Sequence, residues 1–232
     1  MNAAPFPLSS ELIIREGLQD GPAVLFILPL FEEANRMRRT VRMAMRALAD
    51  RGIGSLLPDL PGQNESLVPT VDTSLSLWAD ALREIAANEK RGIVSAAIRG
   101  GALIDQHIAA KVAWRLAPVK GANLLKLMLT ARIASDKEAG LQVSRDMLMA
   151  QGAAHPLQLA GNWLSPAMIS GLEAAIPAPL SPMRAVTLGS SGGKDEITGT
   201  PLWLRAEPGE DAAMAEAMAQ DIADWMRTCG VI

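Results

Sequence analysis

The chain is poor in the side chains that most often move protons or bind metals. Its 232 residues include one cysteine, two histidines and no tyrosine, and only 3% of them are aromatic. The single cysteine, Cys229, excludes an intramolecular disulfide and a cysteine-based zinc site. Because His107 and His155 are the whole histidine inventory, we expect no metal, no cofactor and no histidine-based proton transfer.

Strong charge and long apolar runs are also missing. The net charge is −3, so the sequence does not indicate the strongly basic surface that typically binds nucleic acid. No run reaches the roughly 18 uncharged apolar residues of a membrane span, and the N-terminus lacks an export signal. With so little cysteine, these features predict a cytoplasmic protein that is not transmembrane.

One basic cluster stands out, and it lies in a segment with helical periodicity. Its members are Arg36, Arg38, Arg39, Arg42 and Arg46. Apolar residues lie between these arginines with the spacing of a helix. We therefore interpret the cluster as the solvated face of an amphipathic helix and not as an anion-binding patch.

Apolar runs and amphipathic stretches alternate along the chain, and 49% of residues are hydrophobic. The predicted strands are 11–16, 23–28, 53–57, 92–98, 112–116, 183–188 and 201–206. The predicted helices are 32–51, 72–90, 101–111, 165–175 and 210–227. This order predicts one α/β domain over 1–232, with a mainly parallel sheet, helices on both faces and a ligand crevice at the carboxyl ends of the strands.

Two local signals modify this pattern. Asp20-Gly21 is typical of a hairpin turn, so we expect an antiparallel first strand that turns directly into the second. Residues of about 122–150 have helical patterns alone, which indicates an insertion between strands. That insertion is either a lid over the crevice or an extra packing layer, and the sequence does not decide between them.

The segment from Gly92 to Leu103 reads as a strand, a sharp turn with small residues and a helix. Such a turn can lift a nucleophile to the top of a sheet, but its central position here is Arg99. A guanidinium stays protonated and cannot attack a carbonyl, although it can hold a carboxylate or phosphate.

Six stretches together carry a resemblance that spans most of the chain. They are LPLFEEANRMRR (28–39), PDLPGQNES (58–66), IRGGA (98–102), APVKG (117–121), LAGNWLSP (159–166) and GTPLW (199–203). The sequence resembles the second subtype of the exosortase-A-system-associated hydrolases, bacterial proteins that accompany exopolysaccharide and exosortase gene clusters. The resemblance implies an α/β-hydrolase fold and makes the missing serine a family trait. Gln63-Asn64 departs from the more glycine- and acid-rich turn of the family.

Acyl transfer on such a fold needs a nucleophile, an acid and a histidine in that chain order. Asp195 follows the predicted strand 183–188, so it is either a remnant of the acid or an ordinary loop aspartate. No histidine follows His155, and the segment where one belongs carries Glu207, Glu210 and Asp211. Two of the three groups are therefore missing.

Two serines are candidates to replace the missing nucleophile, and their positions in the sequence argue against both. Residues 189–193, GSSGG, formally match the G-x-S-x-G nucleophile motif through Ser191. The match comes late in the chain with no histidine after it, so we interpret it as a flexible turn. Ser95 lies inside the predicted strand before Arg99 and is expected to be buried. We therefore assign no catalytic residue.

The candidate crevice residues follow the predicted strands. They are Leu30, Phe31, Glu32, Glu33, Arg99, Gly100 and Asp195. The backbone of Gly100 and of Leu30–Phe31 stands where an oxyanion hole would form. An arginine at the start of a predicted helix meets the positive end of its dipole, so Glu32, Glu33, Asp195 or a bound anion should offset its charge.

Two functions remain open. The first is a non-catalytic binding or accessory protein, whose crevice is filled in or takes a small anionic ligand or an acyl- or saccharide-related molecule. The second is an ester or thioester hydrolase in which Asp59, Glu32 or Glu33 directs a water. A carboxylate next to an arginine is a weak base, which favours the first. The family context alone adds an interaction partner in an exopolysaccharide system, and a homodimer is compatible with the sequence.

Overall fold

The computed structural model describes residues 11–189 and 193–232. The strands in these ranges are β1 (Ile13–Glu16), β2 (Ala23–Ile27), β3 (Gly54–Pro58), β4 (Ile93–Ile98), β5 (Ala110–Leu116), β6 (Leu157–Leu159), β7 (Asn162–Leu164), β8 (Met183–Leu188) and β9 (Glu196–Ile197). The α-helices are α1 (Glu32–Asp50), α2 (Leu75–Asn88), α3 (Gly121–Glu138), α4 (Arg145–Ala154), α5 (Pro166–Ala174) and α6 (Ala212–Thr228).

Seven strands form one sheet in the order β1-β3-β2-β4-β5-β8-β9, and β6 and β7 form a separate antiparallel pair. Only β1 runs antiparallel to its neighbour in the large sheet. Helices α1 and α6 pack on one face, and α2 to α5 pack on the other. The predicted α/β architecture, with its antiparallel first strand and helices on both faces, is confirmed.

The local sequence explains the main elements. Strand β2 (AVLFI) is buried at every position because helices cover both faces of the sheet. Helix α1 buries an apolar stripe with three- and four-residue spacing: Ala34, Met37, Val41, Ala44, Met45 and Leu48. Four helices begin with a side chain that caps a free backbone N–H: Ser74 on α2, Ser144 on α4, Ser165 on α5 and Asp211 on α6.

The arginine cluster of α1 is not simply a solvated face, which corrects the expectation from the sequence. Arg38 pairs with the buried Asp59, and Arg42 pairs with Glu16 of β1 at 2.8 Å. Arg39 pairs with Glu210 near the start of α6. These contacts tie α1 to three other segments, while Arg46 is exposed.

The hairpin predicted at Asp20-Gly21 does not form. The turn residue Gly21 does have a φ of +75°, but β1 pairs with β3, where Ile13 faces Pro58. The chain leaves β1 and skips one position in the sheet to enter β2. A turn signal describes the local bend and says nothing about which strand lies alongside, so the pairing was missed.

The helix predicted over 101–111 is replaced by two short 3₁₀ turns, Arg99–Leu103 and Asp105–His107. Glycine is a poor helix former, and a Cβ on Gly101 would lie 2.6 Å from the carbonyl oxygen of Ile27. The turn therefore packs too tightly against β2 for an ordinary helix. Strand β5 also begins earlier than predicted.

The last strand predicted, over 201–206, is wrong as well. Leu202–Leu204 forms a 3₁₀ turn, and the sheet ends on this side with the short edge strand β9, which pairs with β8. Proline at position 201 has no N–H to donate to a strand ladder. The contacts of Trp203 with Arg99 and Arg36 stabilise the turn conformation of this segment.

The insertion predicted for about 122–150 contains α3 and α4, and the chain continues through β6, β7 and α5 before it returns to the sheet. One side of α3 is buried in the core through Leu125 and Leu129. The segment is thus at least a packing layer.

A buried ion pair joins the turn after β4 to the carboxyl end of β5. Arg115 donates from Nε and Nη2 to the two carboxylate oxygens of Asp105, both at 2.7 Å, and from Nη1 to the carbonyl oxygen of Ala178 at 2.7 Å. The Asp105 side chain is 0% exposed and the Arg115 side chain is 3% exposed. Burial raises the pKa of the Asp105 carboxyl, while Arg115 acts in the opposite direction.

We expect Arg115→Met to lower the free energy of unfolding by about 3–5 kcal/mol, because it leaves the Asp105 carboxylate buried without a partner. Arg83→Met is the matched control, since Arg83 pairs with Asp80 on the exposed surface, and should change stability by less than about 1 kcal/mol. Urea denaturation measures both. Equal small effects would contradict this assignment of the Asp105–Arg115 pair.

Candidate functional site

The turn that follows β4 presents Arg99 at the carboxyl edge of the sheet. Arg99 has a φ of +53°, a left-handed conformation that a long side chain seldom adopts. Sharp turns of this kind occur between strand and helix where a nucleophile is raised. Local backbone strain persists only when surrounding contacts maintain it, so the contacts of Arg99 determine what the turn can do.

Two side chains from distant segments hold the Arg99 guanidinium. Glu33 accepts hydrogen bonds from its Nε and Nη2, both at 3.2 Å. The Arg99 Cζ lies 4.9 Å from the centre of the Trp203 ring, a cation–π distance. The Arg99 and Glu33 side chains are each only 14% exposed. We call Glu33, Arg99 and Trp203 the Arg99 cluster.

The chain positions the two partners of Arg99 by local means. Glu33 lies in the first turn of α1, where the helix dipole favours a negative charge. Trp203 lies in the 3₁₀ turn between β9 and α6, and its carbonyl oxygen accepts a hydrogen bond from Arg36 Nη1 at 2.8 Å. Arg36 therefore fixes the backbone of the same residue whose ring covers Arg99.

The loop after β2 is held in a second unusual conformation. Phe31 has a φ of +59°, and its ring packs against Trp78 of α2 with 5.4 Å between ring centres. Trp78 in turn donates from Nε1 to the carbonyl oxygen of Pro61 at 2.7 Å. These contacts join the loop after β2 to the loop after β3.

Aliphatic side chains pack against Gly100, the residue whose backbone was expected to contribute to an oxyanion hole. A Cβ placed on Gly100 would lie 2.7 Å from Leu124 Cδ1 and 3.0 Å from Leu30 Cγ. Leu30 and Leu124 are almost fully buried. Leucine side chains thus pack directly over the residue that follows the elbow position.

Beside the Arg99 cluster lies a cavity of about 470 Å³, which we call the crevice. Its lining is mainly apolar, with acidic and basic side chains only from the first turns of α1. The lining residues are Leu30, Phe31, Glu32, Glu33, Arg36, Leu124, Leu127, Met128, Ala131, Ala160, Trp203 and Leu204.

The structure brings most of the predicted crevice residues together. Leu30, Phe31, Glu32 and Glu33 line the crevice, and Arg99 lies behind Glu33 and Trp203. Asp195 lies elsewhere: its exposed side chain is 3.3 Å from Arg184 Nη1. Of the three acidic candidates for offsetting Arg99, Glu33 is the one in contact. The helix-dipole reason for that offset was wrong, because no α-helix begins at Arg99.

Two of the three acidic residues that stand in place of a late histidine, Asp211 and Glu210, have structural partners. Asp211 caps α6 through Met214 N, and it also accepts hydrogen bonds from Thr200 N and Oγ1. Burial acts to raise the pKa of Asp211, but these hydrogen bonds outweigh burial and the pKa is lowered. Glu210 pairs with Arg39, and Glu207 is exposed.

Two of the three carboxylates considered as directors of a water are already engaged. Asp59 is fully buried and accepts hydrogen bonds from Arg38, from Asn64 Nδ2 at 3.0 Å and from the Glu65 backbone. Glu33 is held by Arg99. Glu32 remains an exposed carboxylate at the crevice.

Sequence reasoning missed the far wall of the crevice. The α3 residues Leu124, Leu127, Met128 and Ala131 follow a spacing of three, four and seven residues, which places them on one helix face. That spacing was the available signal. Arg36 was also missed, although it lies one turn after Glu32 and Glu33 on α1.

Neither histidine takes part in the site. His107 and His155 are exposed and do not line the crevice. Ser95 is fully buried in β4, as expected. Ser191 and its neighbours at 190–192 lie outside the described residues, so the motif at 189–193 cannot be placed.

Within residues 11–189 and 193–232, no helix combines the length and apolarity needed to cross a bilayer. No group of three or more histidine, cysteine, aspartate or glutamate side chains in the same ranges is arranged to hold a metal ion.

Comparison with solved structures identifies the architecture. Est1E from Butyrivibrio proteoclasticus, solved with ferulic acid bound, is similar with a TM-score of 0.57 and 13% identity, over 94% of this chain and 96% of that one. A malate-bound thermophilic esterase from Thermogutta terrifontis has a TM-score of 0.55 and 14% identity, over 94% and 93%. Alpha/beta hydrolase domain-containing protein 10 from mouse has a TM-score of 0.55 and 12% identity, over 93% of each chain.

The chain therefore has the α/β-hydrolase fold. No protein-family model matches its sequence, and no curated protein matches it. Identities this low establish the fold and no activity, because one fold supports many functions.

A double-mutant cycle tests the Arg99 cluster. We expect Arg99→Leu and Glu33→Gln each to lower the free energy of unfolding by about 2–3 kcal/mol, because each leaves its partner charged and largely buried. The double variant should lose less than the sum, with a coupling of at least about 1 kcal/mol.

Arg227→Leu serves as the control for this cycle. Arg227 pairs with Asp224 on the exposed surface of α6, and its loss should cost less than about 1 kcal/mol. Additive effects of the two cluster substitutions in urea titrations would show that Arg99 and Glu33 do not stabilise one another.

Proposed function

We propose that this protein is a non-catalytic binding or accessory protein built on the α/β-hydrolase fold. One observation carries the proposal: the elbow position is an arginine whose guanidinium is held by Glu33 and covered by Trp203. A nucleophile must be free to reach a carbonyl carbon and must carry a lone pair that can attack. The Arg99 guanidinium meets neither requirement.

The rest of the crevice supports the same proposal. Among the residues that the structure describes, its lining contains no histidine, serine or cysteine, so no described side chain there forms the usual pair of nucleophile and base. Leu30 and Leu124 pack over Gly100, so the residue after the elbow position lies against aliphatic side chains. What remains is a preformed apolar cavity of a size that suits a small ligand.

The biological setting is proposed from the sequence resemblance. Stretches such as LPLFEEANRMRR (28–39) and IRGGA (98–102) resemble the exosortase-A-system-associated hydrolases of the second subtype. This supports an accessory role in an exopolysaccharide system, with the protein in the cytoplasm. This part of the proposal rests on the gene-cluster context of the resembling family and not on the chemistry of the site.

The alternative function is hydrolysis of an ester or thioester, and Glu32 is the residue that supports it. Glu32 lines the crevice and is exposed, so it could direct a water. The structural neighbours include an esterase, which fits this alternative at the level of fold. An exposed carboxylate is a weak general base at neutral pH, and it lacks a positioned partner.

We expect the purified protein to show no turnover of p-nitrophenyl acetate or butyrate above the uncatalysed rate. Removing the nucleophile or the histidine from a serine triad costs about 10⁴–10⁶ in rate. A turnover above about 1 s⁻¹, the lower end of typical enzyme values, would overturn the proposal.

Two controls locate any activity that does appear. If Ser191→Ala or a serine-directed fluorophosphonate abolishes it, the motif at 189–193 is a working nucleophile. If Glu32→Gln abolishes it, a water-directing carboxylate is responsible. Arg99→Ser should stay inactive, because it restores the nucleophile without a histidine to accept the proton.

A further inference from the structure

We propose that the crevice binds medium-chain aliphatic monocarboxylates, with the alkyl chain along α3 and the carboxylate at Arg36. This rests on the proposed function, since a hydrolase would release such an acyl group instead of retaining it. Three properties of the crevice support this proposal: its lining, its charges and its volume.

The lining selects an alkyl chain. Leu124, Leu127, Met128 and Ala131 form one continuous apolar face of α3, and Leu30 and Phe31 lie on the wall formed by the loop after β2. Leu127 at the crevice is 54% exposed and Leu204 is 68% exposed. Exposed leucines at a cavity are stabilised when an apolar group covers them. Methionine adapts to the shape of a flexible chain.

The charges select an anionic head group. Glu33 is neutralised by Arg99, so this pair offers no net charge to a ligand. Arg36 lines the crevice and, among the described residues, no carboxylate lies within 4.0 Å of it. Within the described part of the chain, its hydrogen bond is from Nη1 to the Trp203 carbonyl oxygen, so other N–H groups of its guanidinium remain to hold a carboxylate.

Glu32 makes a second, opposite contribution. Its carboxylate also lines the crevice and lies one helical turn before Arg36, so it repels an anionic head group. Removing the charge of Glu32 should therefore strengthen binding, while removing the charge of Arg36 should weaken it. Opposite changes in affinity at these two neighbouring positions distinguish recognition of a charged head group from nonspecific apolar binding.

The volume sets an upper limit on the chain length. A buried methylene occupies a volume similar to that of a water molecule, roughly 30 Å³. The crevice of about 470 Å³ has room for at most about fifteen such groups, so an alkyl chain of medium length fits within it together with its carboxylate. Affinity should rise by about fourfold for each methylene that becomes buried, the equivalent of its transfer free energy, and level off once the crevice is full.

Isothermal titration of the full chain with hexanoate, octanoate and decanoate tests the alkyl chain. Octanol and octyltrimethylammonium, which share the octyl chain, test the head group. We expect affinity to rise through the carboxylate series, and octanoate to bind at least about tenfold tighter than octanol. Octanol or octyltrimethylammonium binding as tightly as octanoate would overturn the role of Arg36.

Matched variants locate the site. Arg36→Gln should weaken octanoate binding by about tenfold and Glu32→Gln should strengthen it by about twofold, whereas Arg39→Gln, one turn further along α1, should leave it unchanged. Ala131→Trp should block the crevice from an exposed position of α3. Ala134→Trp, also exposed on α3 but outside the crevice, should bind octanoate as the wild type does.

The outcomes separate this inference from the proposed function. If no octyl compound binds and p-nitrophenyl octanoate is not hydrolysed, the ligand class is wrong and the non-catalytic assignment stands. If p-nitrophenyl octanoate is turned over, the proposed function fails although the crevice accepts an acyl chain. If octanoate binds equally well to Arg36→Gln and Arg39→Gln, or to Ala131→Trp and Ala134→Trp, the ligand lies elsewhere.

Discussion

The guanidinium of Arg99 carries a positive charge, and it lies largely buried at the carboxyl edge of the sheet. Three loops meet to accommodate it: Glu33 comes from the start of α1, Arg99 from the turn after β4, and Trp203 from the segment before α6. In an active hydrolase these loops supply the oxyanion donor, the nucleophile and the histidine. Here they form an ion pair beneath an indole ring, and the adjoining crevice is left apolar and accessible.

The alternation of buried strands and amphipathic helices determined most of the fold. It predicted the parallel sheet and the helices on both faces, because a run such as Ala23–Ile27 is stable only when covered on both sides. The helix predicted over 101–111 failed because Gly101 packs against the backbone of β2. The strand predicted over 201–206 failed because contacts of Trp203 with Arg99 and Arg36 override its local β propensity.

The candidate site was predictable as far as chain order fixes it. Residues that directly follow parallel strands, such as Leu30 and Arg99, must lie at one edge of the sheet, and Glu33 is close to them by helix spacing. Trp203 and the α3 wall depend on how distant segments pack, which no local pattern encodes. Asp195 was misplaced for the same reason, since Arg184 of the neighbouring strand holds it.

Hydrogen exchange at the Arg99 Nε–H, followed by nuclear magnetic resonance, tests the central claim most directly. The claim is that Glu33 holds the guanidinium in the free protein. The signal is assigned by its loss in Arg99→Lys, and Arg46, which is exposed, provides the reference for a solvated arginine. We expect Arg99 to exchange at least about tenfold more slowly than Arg46 and to lose that protection in Glu33→Gln. Exchange of Arg99 as fast as that of Arg46, unaffected by Glu33→Gln, would show that the guanidinium is free and contradict the account.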